Sequence, residues 1–186
     1  MRVLAIPGSL RPGSHNRALL ERVRELAPAG VELVPFDGLK AVPPYDEEDD
    51  RQPAPAPVAA LRAAIADADA VLIATPEYNA SIPGVLKNAL DWASRPLATN
   101  VLRGKPAAVI GASTGMFGAV WAQAEVRKVL ATIGARVLDA ELPVPLAHET
   151  LAAGQPLDPQ LRDALAAILD ALLAEARRDE ALAAAA

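Results

Sequence analysis

The stretch ADAVLIATPEYNASIPGVLKNALDW, residues 68–92, changes character twice within 25 residues. Its opening, 68–76, is a short continuous apolar run with branched side chains at Val71 and Ile73, bounded by Asp69 and Pro76. A run of this length without polar alternation marks a strand buried on both faces. Such strands belong to parallel sheets, whose crossover helices cover both sides. Its close, 84–93, sets Leu86, Ala89, Leu90 and Ala93 at helical spacing behind Pro83 and Gly84. Between strand and helix lies a polar segment holding Glu77, Tyr78, Asn79 and Ser81.

The same order of strand, loop and helix repeats on either side. Residues 2–6 form an apolar run, followed at 16–26 by Leu19, Leu20, Val23 and Leu26 on one helical face. Strands are predicted at 31–35, 106–111 and 136–138. Helices are predicted at 57–66, at 118–133 with Gly134 closing the last turn, and at 157–178, where Arg177 and Arg178 suit the helix dipole. The tail ALAAAA is expected to fray. Residues 36–57 hold several prolines and the acidic run DEEDD, and read as a long surface connection whose charges form a solvated face. Five strands alternating with five helices predict an α/β chain: a three-layer α/β/α sandwich around a five-stranded parallel sheet. Right-handed crossovers and this strand count favour the flavodoxin-like order 2-1-3-4-5. A length of 186 residues suits one domain, 1–186.

Composition narrows the function classes. Lys and Arg number 18 against 23 Asp and Glu, and no cationic run stands out, so no nucleic-acid partner is expected. There is no cysteine, which excludes disulfides, zinc–thiolate sites, iron–sulfur clusters and thiol nucleophiles. His15 and His148 are the only histidines, and no metal site is expected. No apolar run approaches the roughly 20 residues of a membrane span, and the first residues lack the pattern of a secretory signal. The expectation is a soluble cytoplasmic protein.

In a doubly wound sheet with this order, ligands bind beyond the carboxyl ends of strands one, three and four. The loops leaving those strands are the most polar junctions of the chain. The first, GSLRPGSHN (residues 8–16), offers Ser9, Arg11, Ser14 and Asn16 as donors beside the N-terminus of a helix, with Gly8 and Gly13 permitting close backbone approach. It forms an anion cradle suited to a terminal phosphate. It is neither a Walker loop nor a G-x-G-x-x-G fingerprint, so ATP and a dinucleotide are disfavoured there. The second, Pro76 to Ser81, can wrap a planar heterocycle, with Tyr78 as a flat wall. The third, Ser113, Thr114 and Gly115, lets backbone lie against a ring. Taken singly, each loop can also be an ordinary capped or glycine-rich turn.

The motifs GSLRPGSHN, PEYNASIPGVLKNALDW and STGMFG with AQAEVRKVL resemble, in register from residue 2 to about 138, the NAD(P)H-dependent FMN reductase family. That resemblance implies non-covalent FMN, with NADPH or NADH as co-substrate. It also implies hydride transfer to the flavin and onward to a small-molecule acceptor such as free flavin, a quinone, an azo compound or chromate. By matching position, Ser9, Arg11, Ser14 and Asn16, with the His15 backbone, would bind the phosphate. Pro76, Glu77, Tyr78 and Asn79 would meet the isoalloxazine ring, and Ser113, Thr114 and Gly115 would close the other side. No catalytic side chain is expected, because the flavin carries the redox chemistry. Glu77 reads as a structural loop residue rather than an acid, and Lys87 with Asp91 as a helical ion pair.

The resemblance also implies a homodimer or homotetramer, for which Trp92 and Trp121 on helices flanking the site are candidates. Where relatives often carry an arginine this chain has Trp121, and where a Tyr and a His often follow it has Ala124 and Glu125. An electron carrier like flavodoxin, or a binding module without turnover, remain alternatives that direct oxidation of NAD(P)H would distinguish.

Overall fold

The computed structural model of the chain describes residues 1–184, with side chains through Arg178. Six strands form one sheet: β1 (Arg2–Pro7), β2 (Glu32–Pro35), β3 (Ala70–Thr75), β4 (Pro106–Ala112), β5 (Arg136–Val137) and β6 (Pro143–Val144). The order is β2-β1-β3-β4-β5 and every pairing is parallel. This is the expected 2-1-3-4-5 arrangement. It gains a short sixth strand, which pairs Pro143 and Val144 with Gly111 and Ala112 at the carboxyl end of β4. Two residues without a β-branched run leave too little pattern to announce such a strand.

The apolar runs conceal an alternation of two. Leu4 and Ile6 of β1, Val71 and Ile73 of β3, and Val109 of β4 face one core, completed by α2 (Ala56–Ala66), α3 (Gly84–Ala93) and α4 (Val120–Ile133). Val3 and Ala5, Leu72 and Ala74, and Ile110 face the other, completed by α1 (His15–Glu25) and α6 (Pro159–Ala184). Both faces are therefore covered, which is why strand polarity never alternates in the sequence. The short α5 (Ala147–Thr150) follows β6. Helix α4 ends on Gly134 at φ 101°, the left-handed turn that glycine adopts without a Cβ clash.

Three expectations are modified. The acidic connection is only partly solvated. Asp46 to Asp49 are exposed, but Asp50 pairs with Arg62 at 2.9 Å with both side chains largely covered. Phe36, Leu39 and Val42 of the same connection are buried. Trp92 is fully buried, its ring edge-on to Tyr45 at 4.9 Å and its Nε1 donating to the Pro43 carbonyl at 2.8 Å. It holds the connection to α3 and is not available to a partner subunit. Of the tail expected to fray, residues 181–184 continue α6, and Ala185 and Ala186 lie outside the described residues. Among the described residues, no helix is long and apolar enough to cross a membrane.

Candidate functional site

The loops after β1, β3 and β4 meet at one edge of the sheet and enclose a cleft of about 210 Å³. Ten of the twelve residues singled out in the sequence line it: Ser9, Arg11, Ser14, His15, Asn16, Pro76, Glu77, Tyr78, Ser113 and Thr114, joined by Ala112. Asn79 and Gly115 are not part of its lining. Asn79 occupies the tip of a turn, and the Gly115 carbonyl accepts from the Leu146 amide at 3.2 Å.

The first loop is drawn against the sheet at Gly8, whose N–H donates to the Ala74 carbonyl at 2.8 Å. A Cβ at Gly8 would stand 3.0 Å from the Leu86 side chain and 3.2 Å from Pro76, so only glycine fits without a shift. Ser14 is the N-cap of α1, accepting from the Arg17 amide at 3.3 Å, and the Ser9 hydroxyl accepts from the Arg11 amide at 3.4 Å. The Arg11 guanidinium donates to the Gly13 carbonyl at 2.8 Å, which folds the cation back over its own loop. The first N–H groups of α1 have no intrahelical partner and point the same way. Two hydroxyls, a guanidinium and a helix N-terminus thus converge on one point, a donor set matched to a phosphate. His15 stands at its rim. Burial lowers its pKa below 6.5, and the charges of Arg11 and His148 lower it further, so the imidazole is neutral at pH 7.

Asn16 takes a different position from the one its residue type suggested. Its side chain is buried, its Nδ2 donates to the Ala112 carbonyl at 2.9 Å, and its Oδ1 accepts from the Ala112 amide at 2.9 Å. Both ends of the amide meet the backbone of one β4 residue, its N–H and its C=O. The side chain therefore buttons the first loop to the third.

The second loop carries a two-residue turn. Tyr78 and Ser81 exchange backbone hydrogen bonds at 3.0 and 3.1 Å, with Asn79 and Ala80 between them at φ 54° and 58°. Left-handed backbone at both central positions is a type I′ feature, for which Asn followed by Gly is the favoured pair. Alanine at position 80 holds that conformation under strain. The turn presents the Tyr78 ring half-exposed beside the cleft.

Glu77 and Glu125 brace this loop from outside. Helix α4 has Ala119 at its N-cap and no side-chain cap of its own. The Glu77 carboxylate fills that role, accepting from the Trp121 and Ala122 amides at 3.0 and 3.2 Å. An anion at that end of a helix also complements its dipole. In return, Glu125 of α4 accepts from the Ser81 hydroxyl at 2.6 Å and the Ile82 amide at 3.1 Å, which together hold its carboxyl below the usual carboxylate range. Lys87 and Asp91 pair along α3 at 2.7 Å, away from the cleft.

The third loop is anchored on β6 and α5. The Ser113 amide donates to the Val144 carbonyl at 3.1 Å, and the Ala147 amide donates to the Ser113 carbonyl at 2.9 Å. Gly118, at φ 55°, packs so tightly that a Cβ would lie 2.5 Å from the Val144 nitrogen. The fully buried Gln123 spans the gap, donating to the Gly118 carbonyl at 3.1 Å and accepting from the Leu142 amide at 3.2 Å. Gln123 and Ala112 are not legible in the sequence as site-forming residues, because Gln123 binds backbone groups and Ala112 acts through its own backbone. Trp121 is half-exposed and packs its ring 4.9 Å from that of the exposed Phe117.

Known proteins resemble this chain in sequence and in fold. The sequence model of the NADPH-dependent FMN reductases matches residues 1–149. An NAD(P)H-dependent FMN reductase of Pseudomonas aeruginosa is 41% identical over 180 residues, 96% of each chain. A 2-hydroxy-1,4-benzoquinone reductase from a Burkholderia species is 44% identical over 131 residues, 70% of each chain. Among solved structures, the flavoenzyme NAD(P)H:(acceptor) oxidoreductase FerB of Paracoccus denitrificans superposes with a TM-score of 0.83 at 35% identity, covering 95% of this chain and 97% of its own.

Proposed function

The chain belongs to the family of NADPH-dependent FMN reductases, and from that premise we propose that it binds FMN in the cleft and passes electrons from NADPH or NADH to a small organic acceptor of the quinone class. The observation that carries this reading is the continuity of a phosphate cradle with a flat-walled slot, both formed by loops fastened to one another. Ser9, Ser14 and Arg11 hold the phosphate with their side chains, and His15 and Asn16 with their backbone N–H groups. Pro76, Glu77 and Tyr78 would form the wall for the ring, and Ser113 and Thr114 would close the opposite side, with Asn79 and Gly115 belonging to the same loops outside the lining. The donor set fits: two hydroxyls, one guanidinium and the N-terminus of α1 suit a phosphate, and the rest of the cleft is left to a planar group. FMN held there would supply the redox chemistry, hydride acceptance from a nicotinamide and two-electron reduction of an acceptor.

The protein's own part is binding, orientation and electrostatics. Glu77 serves in this reading as the cap of α4, its Oε2 accepting from the Trp121 and Ala122 amides, rather than as a catalytic acid. Reduction of a quinone consumes one NAD(P)H and one proton, and that proton comes from solvent through the open side of the cleft. Among acceptors, the quinone class is favoured over free flavin, azo compounds and chromate because the Burkholderia relative, 44% identical, is named a benzoquinone reductase. The chain is also proposed to work in the cytoplasm as a homodimer or homotetramer. The exposed Met116, Phe117 and Trp121 are the surface that such an assembly would cover.

Purification tests the reading. The protein should take up one FMN per chain, release it on heat denaturation, and bleach on anaerobic addition of NADPH or NADH. A protein that stays colourless with excess FMN contradicts it.

A further inference from the structure

A second cleft, of about 300 Å³, adjoins the first. Its walls include Gly8, Leu10, Arg11, Tyr78, Pro83 and Val85, and two of these, Arg11 and Tyr78, line both clefts. The two spaces are therefore neighbours across the Tyr78 ring. They differ in chemistry. The first is walled by hydroxyls, an amide, an imidazole and the charged Arg11 and Glu77. The second presents the carbon side chains of Leu10, Pro83 and Val85, and Arg11 is its one charged residue. Leu10 is 42% exposed, so a large apolar side chain is left facing water at the mouth of the site.

The other sizeable hollows are unlike it. The groove between α3 and α4, of about 470 Å³, adds Lys87, Asp91, Arg95, Glu125 and Lys128 to apolar walls at Ile82, Leu97 and Val129, and it lacks any residue of the phosphate cradle. The hollow beside Arg103, of about 380 Å³, lies at the opposite edge of the sheet, and its cations are engaged by backbone carbonyls and carboxylates.

We propose that the cleft between Leu10 and Val85 is a specificity subsite of the electron acceptor: it receives the apolar substituent of a substituted quinone, such as a fused second ring, while the reducible ring lies across Tyr78 toward the flavin cleft. The proposal rests on the flavin reading above and adds to it the shape of the acceptor. The nucleotide end of NAD(P)H does not suit this space. Its phosphates and riboses need several polar partners, and the cleft offers one cation, which already donates to the Gly13 carbonyl at 2.8 Å. A substituent entering the cleft covers Leu10 and Val85 and removes apolar surface from water, which is the gain that discriminates one acceptor from another.

Filling the cleft is the test. In Val85→Trp, kcat/KM for 2-methyl-1,4-naphthoquinone should fall about tenfold through KM, while kcat/KM for 1,4-benzoquinone and for ferricyanide stays within about twofold. Leu10→Asn, which makes the wall polar without adding bulk, should weaken the naphthoquinone in the same direction. Both variants should keep the wild-type affinity for FMN and the wild-type rate of anaerobic bleaching by NAD(P)H. An unchanged naphthoquinone KM in both variants, or an equal loss with all three acceptors, overturns the subsite. A wild-type protein whose flavin stays oxidised with either nucleotide overturns the flavin reading itself, and is distinguished by that measurement.

Discussion

Replacing Asn16 by alanine removes the side chain that ties the first loop to the third, and it should damage both stability and FMN binding. The buried amide makes two hydrogen bonds of 2.9 Å to the Ala112 backbone. Each is worth about 0.5–1.5 kcal/mol net, and a buried backbone group left without a partner costs about 1–3 kcal/mol. Water entering from the cleft recovers part of this, so the expected loss is about 3 kcal/mol. For a chain of this size that lowers Tm by about 6–12 °C. The same change frees the first loop from the third, so the ligand must now hold them together. FMN affinity should fall by about tenfold or more, since every 1.4 kcal/mol diverted to ordering the loops is a factor of ten. Urea denaturation of the FMN-free protein gives the first quantity, and quenching of FMN fluorescence gives the second. Asn16→Asp adds a signature of its own. Its carboxylate can accept from the Ala112 amide but opposes the Ala112 carbonyl, so this variant should lose stability as pH rises through the range in which the new carboxyl ionises. A change below about 0.5 kcal/mol in Asn16→Ala, the range of an ordinary surface substitution, with unchanged FMN affinity, would refute the bracing role.

Three further outcomes are expected. Ala80→Gly removes the strain of alanine at φ 58° and should stabilise the chain by about 1 kcal/mol in urea denaturation, and a destabilisation would contradict the type I′ reading of the turn. Glu77→Ala uncaps α4 and should cost about 0.5–2 kcal/mol, with Glu77→Gln retaining part of that and near-wild-type turnover, whereas loss of turnover in Glu77→Gln would show the carboxylate to be an acid after all. His15 has its pKa lowered in the folded chain relative to 6.5, so the FMN-free protein binds fewer protons than its unfolded form just below that value. Its stability should therefore fall as pH drops from about 6.5 toward the lowered pKa, and be restored above it; His15→Gln should flatten this part of the urea midpoint–pH curve, and an unchanged slope would remove the assignment.

The sheet and the three loops were legible because each is local. A buried parallel strand is a continuous apolar run such as residues 70–74, and a ligand loop advertises itself by glycine and short donors. The braces between the loops were not legible. Asn16 meets Ala112 across 96 residues and Glu77 meets the α4 amides across 44 and 45, and in each case the partner is a peptide group with no residue type to betray it. Trp92 misled for the same reason. On a helix face it reads as available to a partner, but the connection that buries it contributes Tyr45 and the Pro43 carbonyl from a segment without regular pattern. Strand β6 is two residues long and exists because β4 extends far enough to receive it.

The flavin-dependent transfer of electrons is tested most directly by anaerobic stopped-flow of the FMN-loaded protein against NADPH and NADH in turn, followed by mixing with a quinone. The flavin absorbance should bleach with at least one nucleotide and return on adding quinone, with one hydroquinone formed per NAD(P)H consumed. Flavin that binds but remains oxidised with both nucleotides would leave a carrier or a binding module in place of the reductase.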